Sequence, residues 1–196
     1  MFKQLFAVVF LALISSSYSQ YVSRGQCEDR KIKPVEQFPL IGVYGGDQFL
    51  RRWFTVFTSN IEADCQELNF RRRTKSVNES QFTLSQKDVL TGKRYPDDDG
   101  VISLGNYNGE KVVDVKFNNT EGVTQFRILG YNNNYYTIDY NCVNINSTHR
   151  RELLYARSRY RNYIDSTAKE VDKILNDNGL ADIKRKYANQ DLNICF

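Results

Sequence analysis

Few residues of this 196-residue chain are equipped for chemistry, and they lie far apart. His149 is the one histidine; it falls between two strand-like stretches beside an Asn-Ser-Thr triplet, where a solvated loop imidazole is expected. Nothing pairs it with a nucleophile if the cysteines are oxidised. The run Asp97-Asp98-Asp99 hints at calcium but lacks the regular ligand spacing of a calcium loop, so it reads as a solvated turn. Cys27, Cys65, Cys142 and Cys195 contain no C-x-x-C pair, which argues against zinc. The basic run Arg71-Arg72-Arg73-Thr74-Lys75 would alternate in and out on a strand. An inward arginine there would grip a carboxylate, and an outward one would be solvated. No catalytic residue, metal or cofactor is indicated, and the chain does not read as an enzyme. The only tryptophan, Trp53, follows Arg51 and Arg52 and opens the apolar run Phe54, Val56, Phe57.

The elements that must hold these residues begin with a leader. Lys3 gives residues 1–19 a positive start, Leu5 to Ile14 an apolar stretch, and Ser17 and Ser19 small residues before a cut ahead of Gln20. This is the pattern of a secretory signal peptide. The stretch is too short to span a bilayer comfortably, and no later segment is apolar enough to be transmembrane. Residues 20–196 are then expected to form a single extracellular domain. Net charge is +4, from 27 basic and 23 acidic residues, which calls for no nucleic-acid or membrane partner. In an oxidising compartment four cysteines imply two disulfides, with three pairings open. Sequons at Asn78, Asn118 and Asn146 are candidate glycosylation sites and predict surface positions.

Period-two alternation then recurs. Strands are expected at Phe49–Thr58, Cys65–Val77, Phe82–Thr91, Val101–Leu104, Lys111–Phe117, Thr124–Gly130, Tyr135–Val143 and Arg151–Arg159. Turn residues punctuate them: Asn108-Gly109, Glu121-Gly122 and Asn132-Asn133-Asn134. The expected fold is all-β, an eight-stranded antiparallel up-and-down barrel whose closure removes sheet edges. After the strands the period changes. Ile164, Ala168, Val171, Ile174 and Leu175 share a helical face, Thr167 to Glu170 reads as a capping box, and Gly179 as a stop, giving one C-terminal helix.

The order of leader, strands, late helix and four cysteines resembles a lipocalin. FLRRWFTV is similar to the first lipocalin signature, YYTIDYNC to the second, and LLYARSRY to the third, with Arg157 matching its arginine. The run from Tyr163 to the tail resembles the apolipoprotein D-like group and its insect relatives, the bilin-binding proteins. The resemblance implies that Trp53 packs across the closed end of the barrel under Arg157, both as fold determinants. It departs at Arg51, where the family usually has glycine, so the strand entry is expected to differ. It implies the pairings Cys27–Cys142 and Cys65–Cys195, worth about 4–5 kcal/mol each in the chain-entropy model. It also implies a cup for a small hydrophobic ligand, such as a fatty acid, sterol, retinoid or tetrapyrrole. The inward candidates are Phe70, Phe82, Val113, Val115, Phe117, Phe126, Ile128, Tyr136, Ile138 and Tyr140. Some lipocalins of insects hold haem through an inward histidine, and His149 is misplaced for that. The alternative is a barrel whose cavity is filled and whose open-end loops bind another protein, such as a cell-surface receptor. A few lipocalins isomerise prostaglandins with a free cysteine, which two disulfides would exclude.

Overall fold

The structure, a computed structural model, describes residues 21–36, 50–60, 63–72 and 79–195. The leader, Arg73 and the Asn78 sequon lie outside these residues.

The alternating stretches form eight long strands: β2 (Arg51–Thr58), β3 (Ala63–Arg72), β4 (Glu79–Asp88), β5 (Asp98–Tyr107), β6 (Glu110–Phe117), β7 (Thr124–Asn132), β8 (Tyr136–Asn144) and β9 (His149–Ser158). Each pairs antiparallel with the next, and β9 pairs back onto β2, so the sheet closes into a barrel. The closing seam is short, running from Phe54↔Ser158 to Thr58↔Tyr155. The remaining half of β9 is covered by β1 (Tyr21–Arg24), with Tyr21 opposite Glu152 and Arg24 opposite His149. The far end of β2 takes β10 (Lys186–Tyr187). β1 covers the edge of β9 that the seam leaves unpaired, and β10 covers the other edge of β2, beyond the end of its pairing with β3.

Two details depart from the sequence-based expectation. The aspartate run is not a free turn, because Asp98 and Asp99 open β5. Their carboxylates accept hydrogen bonds from Asn119 (2.8 Å) and Thr83 (2.6 Å), while Asp97 accepts from Ser85 at 2.8 Å. The connection expected over Gly105–Glu110 shrinks to the two residues Asn108 and Gly109, both with positive φ (52° and 89°), as a tight two-residue hairpin requires.

Helix α1 (Asp165–Asp177) packs on the outer wall of the barrel. Its N-cap is Ile164, and Thr167 is buried inside the first turn, so the capping box expected there is not formed. Gly179, at φ 65°, ends the helix as expected, with Leu180 N–H donating to Leu175 C=O at 2.8 Å. Val171 and Leu175 bury against Leu129, Tyr136, Ile138 and Leu154. A Cβ on Gly130 would lie 2.8 Å from the Ile174 Cδ1 atom, so the bare backbone of β7 lets the helix come this close. A short helix α2 (Leu192–Cys195) ends the described chain.

The same outer wall carries a buried charge cluster. Glu152 is fully buried beneath the N-terminal arm. Its carboxylate accepts from Arg30 (2.9 and 3.0 Å), Tyr140 (2.6 Å) and Ser23, and Arg150 Nε lies 3.0 Å away. Arg30 reaches on to Asp182 at 2.7 Å and to the Gly179 carbonyl at 2.5 Å. Burial alone would raise the Glu152 carboxyl, but the hydrogen bonds from Arg30, Ser23, Tyr140 and Arg150 outweigh it and hold it down at about 2. One carboxylate thus ties the arm, the barrel wall and the chain after α1 together.

The disulfides are Cys27–Cys142 and Cys65–Cys195, with Cα atoms 5.8 and 5.3 Å apart. The pairing is the one the resemblance implied, and no thiol remains for isomerase chemistry.

Candidate functional site

Side chains from alternate positions of the barrel strands enclose a cavity of about 170 Å³. Phe70, Phe82, Val113, Val115, Phe117, Phe126 and Ile128, all expected inside, line it. The sequence reading missed Leu68, Leu84, Ile102 and Leu153, which extend the apolar wall. Phe82 sits at an aromatic corner, its ring centre 5.8 Å from that of Phe70 and 5.1 Å, edge-on, from that of Phe117. Gly100 makes room for it: a Cβ there would fall 2.4 Å from the Phe82 ring.

Tyr136, Ile138 and Tyr140 lie elsewhere. They form the opposite face of β8, buried against α1 and the N-terminal arm. The Tyr136 hydroxyl donates to Glu170 of α1 at 2.8 Å. Alternation identifies an apolar face but not which side of the sheet it occupies. On β8 the helix supplies a second apolar neighbour outside the barrel, and the polar face turns inward instead.

That inversion gives the cavity a polar corner that was not foreseen. Asp139 on β8 and Arg157 on β9 both line it and form an ion pair, with side chains 13% and 12% exposed. Asp139 also accepts from the Thr137 hydroxyl at 2.7 Å. The Arg157 guanidinium lies 4.5 Å from the centre of the Tyr155 ring, and burial pushes its pKa down to about 10. Arg71 and Arg72 of the basic run are exposed and do not reach this corner.

The closed end corrects another expectation. Trp53 is fully buried, but the cation over its ring is Arg159, 3.7 Å from the ring centre. Arg159 donates to the carbonyls of Leu50 (2.9 Å), Arg52 (3.1 Å) and Asn133 (2.9 Å), stitching β2 to the β7–β8 turn. Arg157 and Arg159 are two residues apart and share a strand face, so the sequence offered both. The later one, just past the last residue of β9, reaches the floor. Arg51 begins β2 without displacing it, but at φ 85°, in the left-handed region that glycine occupies freely. Its charge also opposes that of Arg159, whose guanidinium is held down at about 10, chiefly by burial. Arg51→Gly is therefore expected to stabilise the protein by about 1 kcal/mol, read as a higher denaturant midpoint at unchanged slope. An unchanged or lower midpoint would mean that the left-handed backbone carries no strain.

Asn118 and Asn146 are exposed, as glycan acceptors must be. Among the described residues no three His, Cys, Asp or Glu side chains cluster closely enough to hold a metal ion, and no helix is long and apolar enough to cross a membrane.

A closed eight-stranded antiparallel barrel with a late helix against its wall is the lipocalin fold. Comparison with solved structures bears this out. Lobster apocrustacyanin A1 superposes with a TM-score of 0.70 at 13% identity, covering 88% of this chain and 93% of its own. Insecticyanin from the tobacco hornworm Manduca sexta gives 0.68 at 18%, covering 90% and 93%. The amine-binding protein of Rhodnius prolixus, in its tryptamine complex, gives 0.57 at 12%, covering 84% and 92%. No protein-family profile matches the chain, and no curated protein matches it by sequence.

Proposed function

We propose that this protein is a secreted, non-enzymatic carrier of one small hydrophobic molecule, in the manner of the apolipoprotein D-like and insect lipocalins. The observation that carries the reading is the aromatic-lined cavity of about 170 Å³. An apolar cavity of about 150 Å³ is enough to take up benzene. The space therefore suits a ligand of one or two rings, or a short acyl chain. A sterol, retinoid or tetrapyrrole would require the Phe70–Phe82–Phe117 corner to move. The amine-binding protein that shares this fold holds tryptamine, a molecule of the suitable size. The alternative, a loop-binding module with a filled barrel, is less well supported because the barrel has internal space.

Native mass spectrometry of the chain secreted from eukaryotic cells tests the reading. The expected result is an added mass that is lost on denaturation. Phe117→Asp is expected to weaken retention by tenfold or more, because burying apolar surface is the main driving term and a carboxylate there would have to be desolvated. A bare polypeptide-plus-glycan mass, unmoved by added fatty acid, retinoid or small aromatic probes, would overturn the carrier reading. Glycans are expected on Asn118 and Asn146 in the same spectrum.

A further inference from the structure

The cavity is apolar except at one corner, and that corner has a donor left over. Arg157 directs one terminal nitrogen to Asp139, while its Nε, shielded from solvent, has no hydrogen-bond partner. Thr55, directly opposite Arg157 in the β2–β9 register and fully buried, also has an unpartnered hydroxyl. Buried donors without acceptors are costly, and folded proteins keep few of them. Asp139 is already engaged by Thr137 and Arg157. The other polar residues lining the cavity, Gln66, Thr124 and Tyr155, carry no charge.

Charge balance narrows what would satisfy this donor. Arg157 stays protonated at neutral pH, and Asp139 cancels its charge. A ligand carboxylate would leave the corner with a net negative charge, and an ammonium group with a net positive one; either would be buried without compensation. An uncharged oxygen acceptor supplies the missing bond and leaves the balance intact.

Building on the carrier reading, we infer that the ligand is a small neutral molecule with an apolar body and one oxygen acceptor, a carbonyl or hydroxyl, to which Arg157 Nε donates. This separates the cavity from one built for an amine or a fatty-acid carboxylate.

The test is calorimetric titration of the full mature protein with four probes of one size: acetophenone, ethylbenzene, benzoate and benzylammonium. Acetophenone is expected to bind about tenfold more tightly than ethylbenzene, a typical gain for a hydrogen bond from a charged donor, and both ions more weakly than either. Removing Arg157 alone would strand a buried carboxylate and risk unfolding. The informative variant is therefore the double replacement Arg157→Met with Asp139→Leu. It is expected to lose the preference for acetophenone over ethylbenzene. Equal binding of the two neutral probes by the parent, a preference for benzoate, or a ketone preference that survives in the double variant would each overturn the inference while leaving the carrier intact. Failure of all four probes to bind would overturn both.

Discussion

Glu152→Ala is expected to destabilise the protein by about 3–5 kcal/mol, because it removes the buried carboxylate that Arg30 and Arg150 share and leaves them only the exposed carboxylates of Asp182 and Asp29. For a chain of this length that corresponds to a fall in melting temperature of roughly 10 °C or more. Nothing else in the described structure joins so many parts: the arm through Ser23 and Arg30, the wall through Tyr140 and Arg150, and the chain after α1 through Arg30 and Asp182. The acid response follows from the same geometry. The folded carboxyl titrates at about 2, below its ordinary 4.5. Its stabilisation is therefore complete above about pH 4.5 and is lost as pH falls toward 2. Other carboxylates are also depressed, Asp88 among them, so the difference between parent and Glu152→Gln isolates this one. The parent should lose stability more steeply between pH 4.5 and 2 than the glutamine variant. Parallel curves, or an alanine variant as stable as the parent, would show the cluster to be energetically neutral.

Trp53→Ala is expected to cost about 3–5 kcal/mol, the usual range for emptying a large buried aromatic site. The ring is fully buried and lies under Arg159. Its removal also takes away the surface that holds Arg159 over the barrel floor, a contact worth about 1–2 kcal/mol when partly desolvated. Because the chain has one tryptophan, its emission reports on this site alone. Arg159→Met is expected to shift the native emission, whereas the Arg157→Met, Asp139→Leu protein should leave it close to that of the parent. The reverse pattern would restore Arg157 to the floor. A Trp53→Ala protein with an undiminished denaturation midpoint would mean that the floor is not a fold determinant.

The strands were legible because most have one wet face. On β6, Val113, Val115 and Phe117 alternate with Asp114 and Lys116, and the cavity receives the three apolar residues. The same rule misassigned Tyr136, Ile138 and Tyr140, because β8 is covered on both sides and local alternation cannot tell ligand space from helix contact. The ion pair of Asp139 and Arg157 was hidden for the same reason: read from the sequence, Asp139 belonged to the solvated face. Nor could spacing decide between Arg157 and Arg159, since it fixes the face and not the height along the barrel. β1 and β10 are four and two residues long, too short for any periodicity to register. What recovers these features is knowing where the seam falls and which wall carries α1.

The seam has a consequence for leakage. It is bridged by few backbone pairs, and a covalent tie lies on each side of it: Cys27–Cys142 fastens the N-terminal arm to β8, and Cys65–Cys195 fastens the C-terminal tail to β3. The arm lies along β9 beside the join, and the tail fills the gap between β2 and β3 on the other edge of β2. While both anchors hold, neither arm nor tail can leave the wall, and in the proposed carrier the way out is the mouth. Reduction would leave the arm held by β1 and the Glu152 cluster, and the tail by β10 and Gln190, with no covalent tie on either side. In the proposed carrier, retention of the ligand is therefore expected to depend on the redox state of the fluid around it, as well as on the fit inside.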